Sequence, residues 1–168
     1  LEKLDYALQP IVNIHTGECY GFEALIRNYE DAGFKSIQSI FDEAYNDRIL
    51  FELDLSLRKK LIEKFTKIEF FEKVKIFYNI DNRILFMPDY SIEKFSSKTD
   101  KLSLNPDTFC FEISEKFDFF SDFKSIESVI EILKSCKKLF YKIAIDDFGS
   151  GLSGLQLLYH SEPNYIKI

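Results

Sequence analysis

Tyr141-Lys142-Ile143-Ala144-Ile145-Asp146-Asp147-Phe148-Gly149-Ser150-Gly151 is the stretch on which the reading of this chain turns. A β-compatible apolar run stops at two adjacent carboxylates, and a Gly-x-Gly turn then leads into an apolar segment of helical character, Leu152 to Tyr159. A strand that is buried along its length and acidic at its end is what a parallel α/β sheet presents at its carboxyl edge, where ligands bind. Neighbouring carboxylates repel unless a positive charge lies between or beside them, and a divalent metal ion is a common solution. A strand that merely ends in an Asp-Gly turn looks the same locally, so the flanking sequence has to decide.

Upstream, Phe109 to Ser114 reads as a short strand ending Glu112-Ile113-Ser114-Glu115, and Val74 to Ile80 as another ending Tyr78-Asn79-Ile80-Asp81. Ile126, Val129, Ile130 and Leu133 mark a helix before the central strand. Two earlier helices are predicted from Ile37, Ile40, Phe41, Ala44 and Tyr45, and from Leu50, Leu53, Leu57, Leu61 and Phe65. On the second, Arg58, Lys59, Lys60 and Glu63 are expected on the solvated face. Tyr6 to Ile14 and Glu18 to Arg27 form a hairpin across His15-Thr16-Gly17, in which His15 is a turn residue rather than a ligand. The polar stretch 89–106 reads as surface loop or short helix, and Asn164 to Ile168 begins a further strand.

After the hairpin, helices and strands alternate, which implies an α/β fold with parallel strands and crossover helices. Glu23, Asn79, Glu112, Asp146 and Lys167 each fall in or near the end of a separate β-like run. In a (β/α) barrel such ends converge on one face, where active sites are built. Carboxylates plus one amide oxygen form a hard ligand set suited to Mg²⁺, Mn²⁺ or Ca²⁺ rather than Zn²⁺ or copper. Asp146 and Asp147 together could serve two ions, polarising a phosphoryl oxygen and generating hydroxide near neutral pH. Lys167 could then orient the nucleophile or offset developing charge. Arg27 could clamp a phosphate through paired hydrogen bonds; a surface arginine in an ion pair is the alternative.

Composition bounds these readings. With 168 residues, 46% apolar and 30% charged, the chain has a soluble globular makeup and the length of one domain. Eighteen Phe and nine Tyr without Trp predict a core of single-ring aromatics. A net charge of −6 argues against general DNA or RNA binding through a basic surface, while leaving room for a small anionic substrate. Cys19, Cys110 and Cys136 lack metal-ligand or redox spacing and are expected to be free thiols in a reducing compartment. No apolar run approaches a membrane span, so no membrane contact is expected of this segment. The start lacks both an initiator Met and a signal peptide, which suggests a chain cut from a longer one.

Gly21-Phe22-Glu23-Ala24-Leu25-Ile26-Arg27 resembles the signature of the EAL family, the bacterial cyclic di-GMP phosphodiesterases. Gln9-Pro10-Ile11-Val12, Tyr78-Asn79-Ile80, Phe111-Glu112-Ile113-Ser114-Glu115, Asp146-Asp147-Phe148-Gly149-Ser150-Gly151 and Ile166-Lys167-Ile168 resemble its other motifs, in the family's order. The resemblance implies an α/β (β/α)8-type TIM barrel with an antiparallel first strand, spanning residues 1–168 as a single domain. It implies that Glu23, Asn79, Glu112, Asp146 and Asp147 bind two Mg²⁺ or Mn²⁺ ions, with Ca²⁺ inhibiting. Lys167 would lie beside the attacking water, with Asp147 sharing the catalytic role. Gln9, Arg27 and the backbone near Leu25 would hold the phosphate and nucleotide. Glu115 matches the glutamate that anchors the mobile loop after the paired aspartates, here 148–153, which couples metal binding to homodimerisation. The implied reaction is hydrolysis of cyclic di-GMP to linear pGpG, in a cytoplasmic signalling protein, or the cytoplasmic part of a larger membrane-anchored one, fused to further domains. A receptor that binds cyclic di-GMP without cleaving it, or a protein-interaction module, is the alternative.

A full barrel needs about 200 to 250 residues, so this chain is expected to be incomplete at its C-terminus. The family's last strands carry a further glutamate and a glutamine without counterparts here. The chain is then the observed part of a longer domain, a natural truncation, or one whose missing strands come from another chain.

Overall fold

Asp5–Val12 (β1) and Cys19–Arg27 (β2) pair antiparallel from Asp5 opposite Arg27 to Val12 opposite Cys19, with an irregularity between Ile11 and Val12. The turn between them is held by Asn13, whose Oδ1 accepts the His15 amide at 2.9 Å and the Thr16 amide at 3.3 Å. Gly17 adopts a left-handed φ of 72° there, a conformation that glycine reaches without a Cβ clash. His15 is therefore a turn residue, as expected. The computed structural model describes residues 2–87, 90, 104–115, 123–149 and 154–168; most of the surface stretch 89–106 and of the loop 148–153 lies outside them.

From β2 the sheet continues in parallel through Lys75–Asn79 (β3), Phe109–Ser114 (β4), Lys142–Asp146 (β5) and Tyr165–Ile166 (β6), in the spatial order of the sequence. Among the described residues β1 and β6 form the two edges, so the sheet is open. Ile37–Asn46 (α1) and Leu50–Phe65 (α2) cross from β2 to β3, Phe123–Lys138 (α3) from β4 to β5, and Gly154–Ser161 (α4) from β5 to β6. Ser36 caps α1 by accepting the Ser39 amide at 3.1 Å, while the Ser39 hydroxyl oxygen accepts the Ser36 amide at 3.2 Å. That reciprocal pair explains why the helix begins where the apolar spacing does.

The strands' alternation sorts side chains onto two faces. Ile76, Tyr78, Phe109, Phe111, Ile113, Ile143 and Ile145 share the large core with Leu50, Leu57, Leu61 and Phe65 of α2 and Val129 and Leu133 of α3. Phe77, Cys110 and Ala144 form a second cluster on the opposite face, with Ile11 and Tyr165 packed against it. Two residues onward along each strand, that second face carries Asn79, Glu112, Asp146 and Lys167. The apolar floor of the sheet and its polar rim are thus successive layers of one face.

The helical stripe Leu50, Leu53, Leu57, Leu61 and Phe65 is buried as predicted, but Arg58 is not on the solvated face. Arg58 is 2% exposed and ion-pairs with the equally buried Asp54 one turn earlier. Tyr78 donates its hydroxyl to Asp54 Oδ1 at 2.8 Å, and the guanidinium lies 5.4 Å from the Phe111 ring centroid and 5.8 Å from that of Tyr78. Compensation by a carboxylate and two aromatic faces is what permits a charge at this depth. Cys110 and Cys136 are buried free thiols and Cys19 is half-buried. No helix among the described residues is long and apolar enough to cross a membrane.

Candidate active site at the carboxyl edge of the sheet

Parallel pairing sets the site's geometry. Asn79 is directly in register with Glu112, while Glu112 pairs with Ala144, which puts Asp146 one inward-facing position further along β5. Four adjacent strands therefore deliver Glu23, Asn79, Glu112 and Asp146 to the same edge, and Lys167 follows β6 on the fifth.

The ammonium of Lys167 is the centre of the group. Its Nζ lies 2.7 Å from Glu112 Oε1, 3.1 Å from Glu23 Oε1 and 3.4 Å from Asp146 Oδ1. Asn79 Nδ2 donates to Glu23 Oε1 at 3.3 Å, closing the ring of polar groups. The Lys167 amide donates to Ile145 O at 2.9 Å and its carbonyl accepts the Phe148 amide at 2.9 Å, so the backbone bearing the ammonium is pinned to β5.

Glu112 is the most deeply placed of these groups, its side chain fully covered. Burial pushes its carboxyl up to about 7; the Lys167 ammonium opposes that, and the Glu23 and Asp146 carboxylates add to it. Among the described residues neither Glu112 oxygen has a partner of hydrogen-bond geometry, so the ion pair with Lys167 is its compensation. Burial draws Lys167 downward, but Glu112 and Asp146 outweigh this and hold it above the ordinary lysine value.

These donors suit a hard divalent cation: they are oxygen-only, they already gather round one positive charge, and the innermost carboxylate has unused lone pairs. Among the described residues no three His, Cys, Asp or Glu side chains stand as a ready-made metal cage, because the carboxylates are arranged about the ammonium.

Asp147 sits outside this ring. It is exposed and left-handed, at φ 56°, and its amide donates to Asp146 Oδ1 at 3.0 Å. Glu115 is buried at 3% exposure, and its Oε2 accepts the Gly149 amide at 2.6 Å, tying the end of β4 to the start of the loop after the paired aspartates.

Gln9 is exposed on β1 opposite Glu23. Leu25 and Arg27 line a pocket of about 270 Å³ between α1 and the ends of β2 and β3, which also touches Asn79 and Asp81. Arg27 is exposed and donates from Nη1 to its neighbour's carbonyl, Ile26 O, at 2.9 Å rather than to an acidic side chain. Sequence reading missed the polar wall of this pocket. There Gln38, Asp42 and Asp81 are linked through Arg83, and nothing in the local sequence signals that α1 and the turn after β3 meet. It also missed Gly21, where an added Cβ would stand 2.6 Å from Lys75 O.

The fold and rim together describe an α/β barrel-type domain with an acidic, cation-gathering site at the carboxyl ends of its strands. The chain belongs to the EAL domain family, whose model matches residues 1–168. It is 28% identical over 175 residues to the probable cyclic di-GMP phosphodiesterase PdeI of Escherichia coli K12, covering 99% of this chain and 21% of that protein. It is 26% identical over 168 residues to the blue light- and temperature-regulated antirepressor BluF of the same organism, covering 97% of this chain and 38% of BluF. The manganese and cyclic di-GMP complex of Klebsiella pneumoniae BlrP1 superposes with a TM-score of 0.77 at 26% identity, covering 99% of this chain and 40% of that one. The chain thus spans well under half the length of these relatives.

Proposed function

We propose that this chain is part of a cyclic di-GMP phosphodiesterase that opens the cyclic dinucleotide to linear pGpG. The observation that carries the reading is the convergence of Glu23, Glu112 and Asp146 on Lys167 at one sheet edge, with Asn79 bonded to Glu23. The activity in PdeI's name and the ligand held by BlrP1 support the substrate class. Glu23, Asn79, Glu112, Asp146 and Asp147 would hold two Mg²⁺ or Mn²⁺ ions. When bound, such ions supply Lewis acidity toward a phosphoryl oxygen and ease deprotonation of water.

Lys167 would orient the water oxygen for attack on phosphorus and offset charge on the phosphoryl oxygens. One P–O bond forms to that oxygen and the bond to the ribose oxygen breaks; one of the water's two protons ends on the ribose oxygen, which leaves as a hydroxyl, and the other passes to solvent. Arg27 offers a guanidinium fork that matches phosphate geometry, and Gln9 and the Leu25 backbone would hold the nucleotide. Glu115 would anchor the loop after Asp147, coupling it to homodimerisation. A cytoplasmic setting and fusion to further signalling domains complete the proposal, and the small share of PdeI covered by the match supports the fusion.

The test is incubation with cyclic di-GMP and Mg²⁺ or Mn²⁺ followed by chromatography, with Ca²⁺ and Asp146→Asn as controls. Formation of pGpG in wild type only, dependent on Mg²⁺ or Mn²⁺ and suppressed by Ca²⁺, is expected. A second reading is a catalytically inactive EAL-like cyclic di-GMP receptor or a protein-interaction module, and the antirepressor BluF among the relatives favours the latter. Binding without product would select the receptor, and neither binding nor product the interaction module.

A further inference from the structure

Arg83, just beyond the turn after β3, ties α1 to that turn, next to the strand that carries Asn79. Its Nη2 donates to Asp81 Oδ2 at 2.6 Å and its Nε to Asp81 Oδ1 at 2.9 Å, while Nη1 donates to Asp42 Oδ1 on α1 at 2.7 Å. The guanidinium also lies 5.0 Å from the ring centroid of Tyr45 on α1. Asp42 Oδ1 in turn accepts from Gln38 Nε2 at 3.0 Å. Gln38 and Asp81, the two ends of this chain of bonds, both line the pocket that Leu25, Arg27 and Asn79 share.

Elsewhere α1 touches that pocket through Ile37 and Phe41, apolar contacts that set no direction. A planar fork bonded to carboxylates on two elements does set one, because its donors are fixed relative to each other. Arg83 and Asp81 are 13% and 10% exposed, so solvent screens that pair little, while Asp42, which carries the bond to α1, is half-exposed and more screened. We infer that Arg83 is a positioning residue for ligand binding: it clamps α1 to the turn after β3 and so fixes the width and polar wall of this pocket. At about 270 Å³ the pocket is smaller than one that encloses a drug-sized ligand, about 300 Å³ or more. It therefore admits one end of a cyclic dinucleotide rather than the whole molecule.

The inference rests on the cyclic di-GMP reading, and the test separates the two. Calorimetric titration of the chain with cyclic di-GMP in Ca²⁺, alongside KM and kcat in Mg²⁺, is run on wild type, Arg83→Ala, Arg83→Lys and Asp42→Asn, with melting curves of each. Arg83→Ala is expected to bind about tenfold more weakly and to raise KM with kcat held, as loss of charge-assisted bonds to a preorganised wall requires. Arg83→Lys, a point charge without the fork, is expected to fall between. Asp42→Asn, at a half-exposed position that tolerates the change, is expected to weaken binding severalfold with little change in melting. Wild-type affinity in Arg83→Ala and Asp42→Asn, with or without a lower melting temperature, overturns the clamp while leaving the ligand reading intact. If Arg83→Ala does not fold, Asp42→Asn decides alone. No binding by wild type overturns both.

Discussion

Removing either member of the buried Asp54–Arg58 pair is expected to cost far more stability than removing both. Each residue is 2% exposed, and the pair lies beneath β3 and β4, with Tyr78 bonded to Asp54 and Phe111 facing the guanidinium. Asp54→Ala leaves a cation buried without its carboxylate and strips the Tyr78 hydroxyl of its acceptor. Arg58→Met leaves the carboxylate with that one hydroxyl. Breaking a buried ion pair in this way costs about 3–5 kcal/mol, whereas an apolar replacement of both partners is often neutral. At about 2–4 °C per kcal/mol for a chain of this size, the single variants should melt about 6–20 °C lower. The double variant Asp54→Leu/Arg58→Met should cost less than either single, about 1–2 kcal/mol, because it removes both charges and leaves only the Tyr78 hydroxyl without its acceptor. Urea unfolding followed by far-ultraviolet circular dichroism gives all three values; the chain has no Trp to report by fluorescence. Single variants costing under about 1 kcal/mol, or a double variant costing the sum of the singles, would falsify the account. Because Tyr78 and Phe111 flank the strand positions of Asn79 and Glu112, the single variants should also weaken ligand binding at the opposite face.

Three further outcomes are expected. Glu112 holds its proton up to about 7 in the folded chain because of burial, against an ordinary value of 4.5, so between those pH values the folded state binds more protons than the unfolded one. Metal-free protein should therefore lose on the order of 2–3 kcal/mol as pH rises from about 4.5 to 7; melting temperatures in chelator should show the slope, and Glu112→Gln should flatten it. Glu115→Ala frees the Gly149 amide from its 2.6 Å bond and should speed hydrogen exchange at that amide by at least tenfold, with a stability loss of about 1–3 kcal/mol; unchanged exchange would mean that the loop is held by something else. Gly21→Ala places a methyl 2.6 Å from Lys75 O and 3.1 Å from the Phe77 ring, so β2 must shift against β3, at about 1–3 kcal/mol in chemical denaturation; a neutral result would show that the strands part freely there.

Much of the fold was legible along the chain, for reasons that are local. Strand ends announce themselves where apolar runs meet Glu, Asn or Asp, as at Asn79, Glu112 and Asp146. Helices announce themselves by spacing, and Ile40, Phe41 and Ala44 on α1 are buried where the period puts them. The antiparallel start followed from the short turn at His15-Thr16-Gly17, and among the described residues the sheet is open, in line with the expectation of an incomplete barrel.

What the sequence by itself determined is which residues stand at the ends of strands, because both period-2 alternation and turn chemistry operate over a few neighbours. What only the tertiary structure decided is how those residues meet. Lys167 became the centre of the site rather than a flanking group because β6 docks beside β5, bringing its ammonium within 3.4 Å of carboxylates from three other strands. Asp146 entered that ring and Asp147 did not, because β5 ends at Asp146 and the backbone turns left-handed at Asp147. Helical spacing puts Arg58 on the solvated face, yet it is buried because its partners differ in kind: Asp54 is one helical turn away, but Tyr78 and Phe111 arrive from two strands of the sheet. Arg83 joins α1 to β3 across 41 residues of chain to reach Asp42. Local sequence carries no trace of such contacts, because their energy comes from register and packing that exist only once the strands have paired.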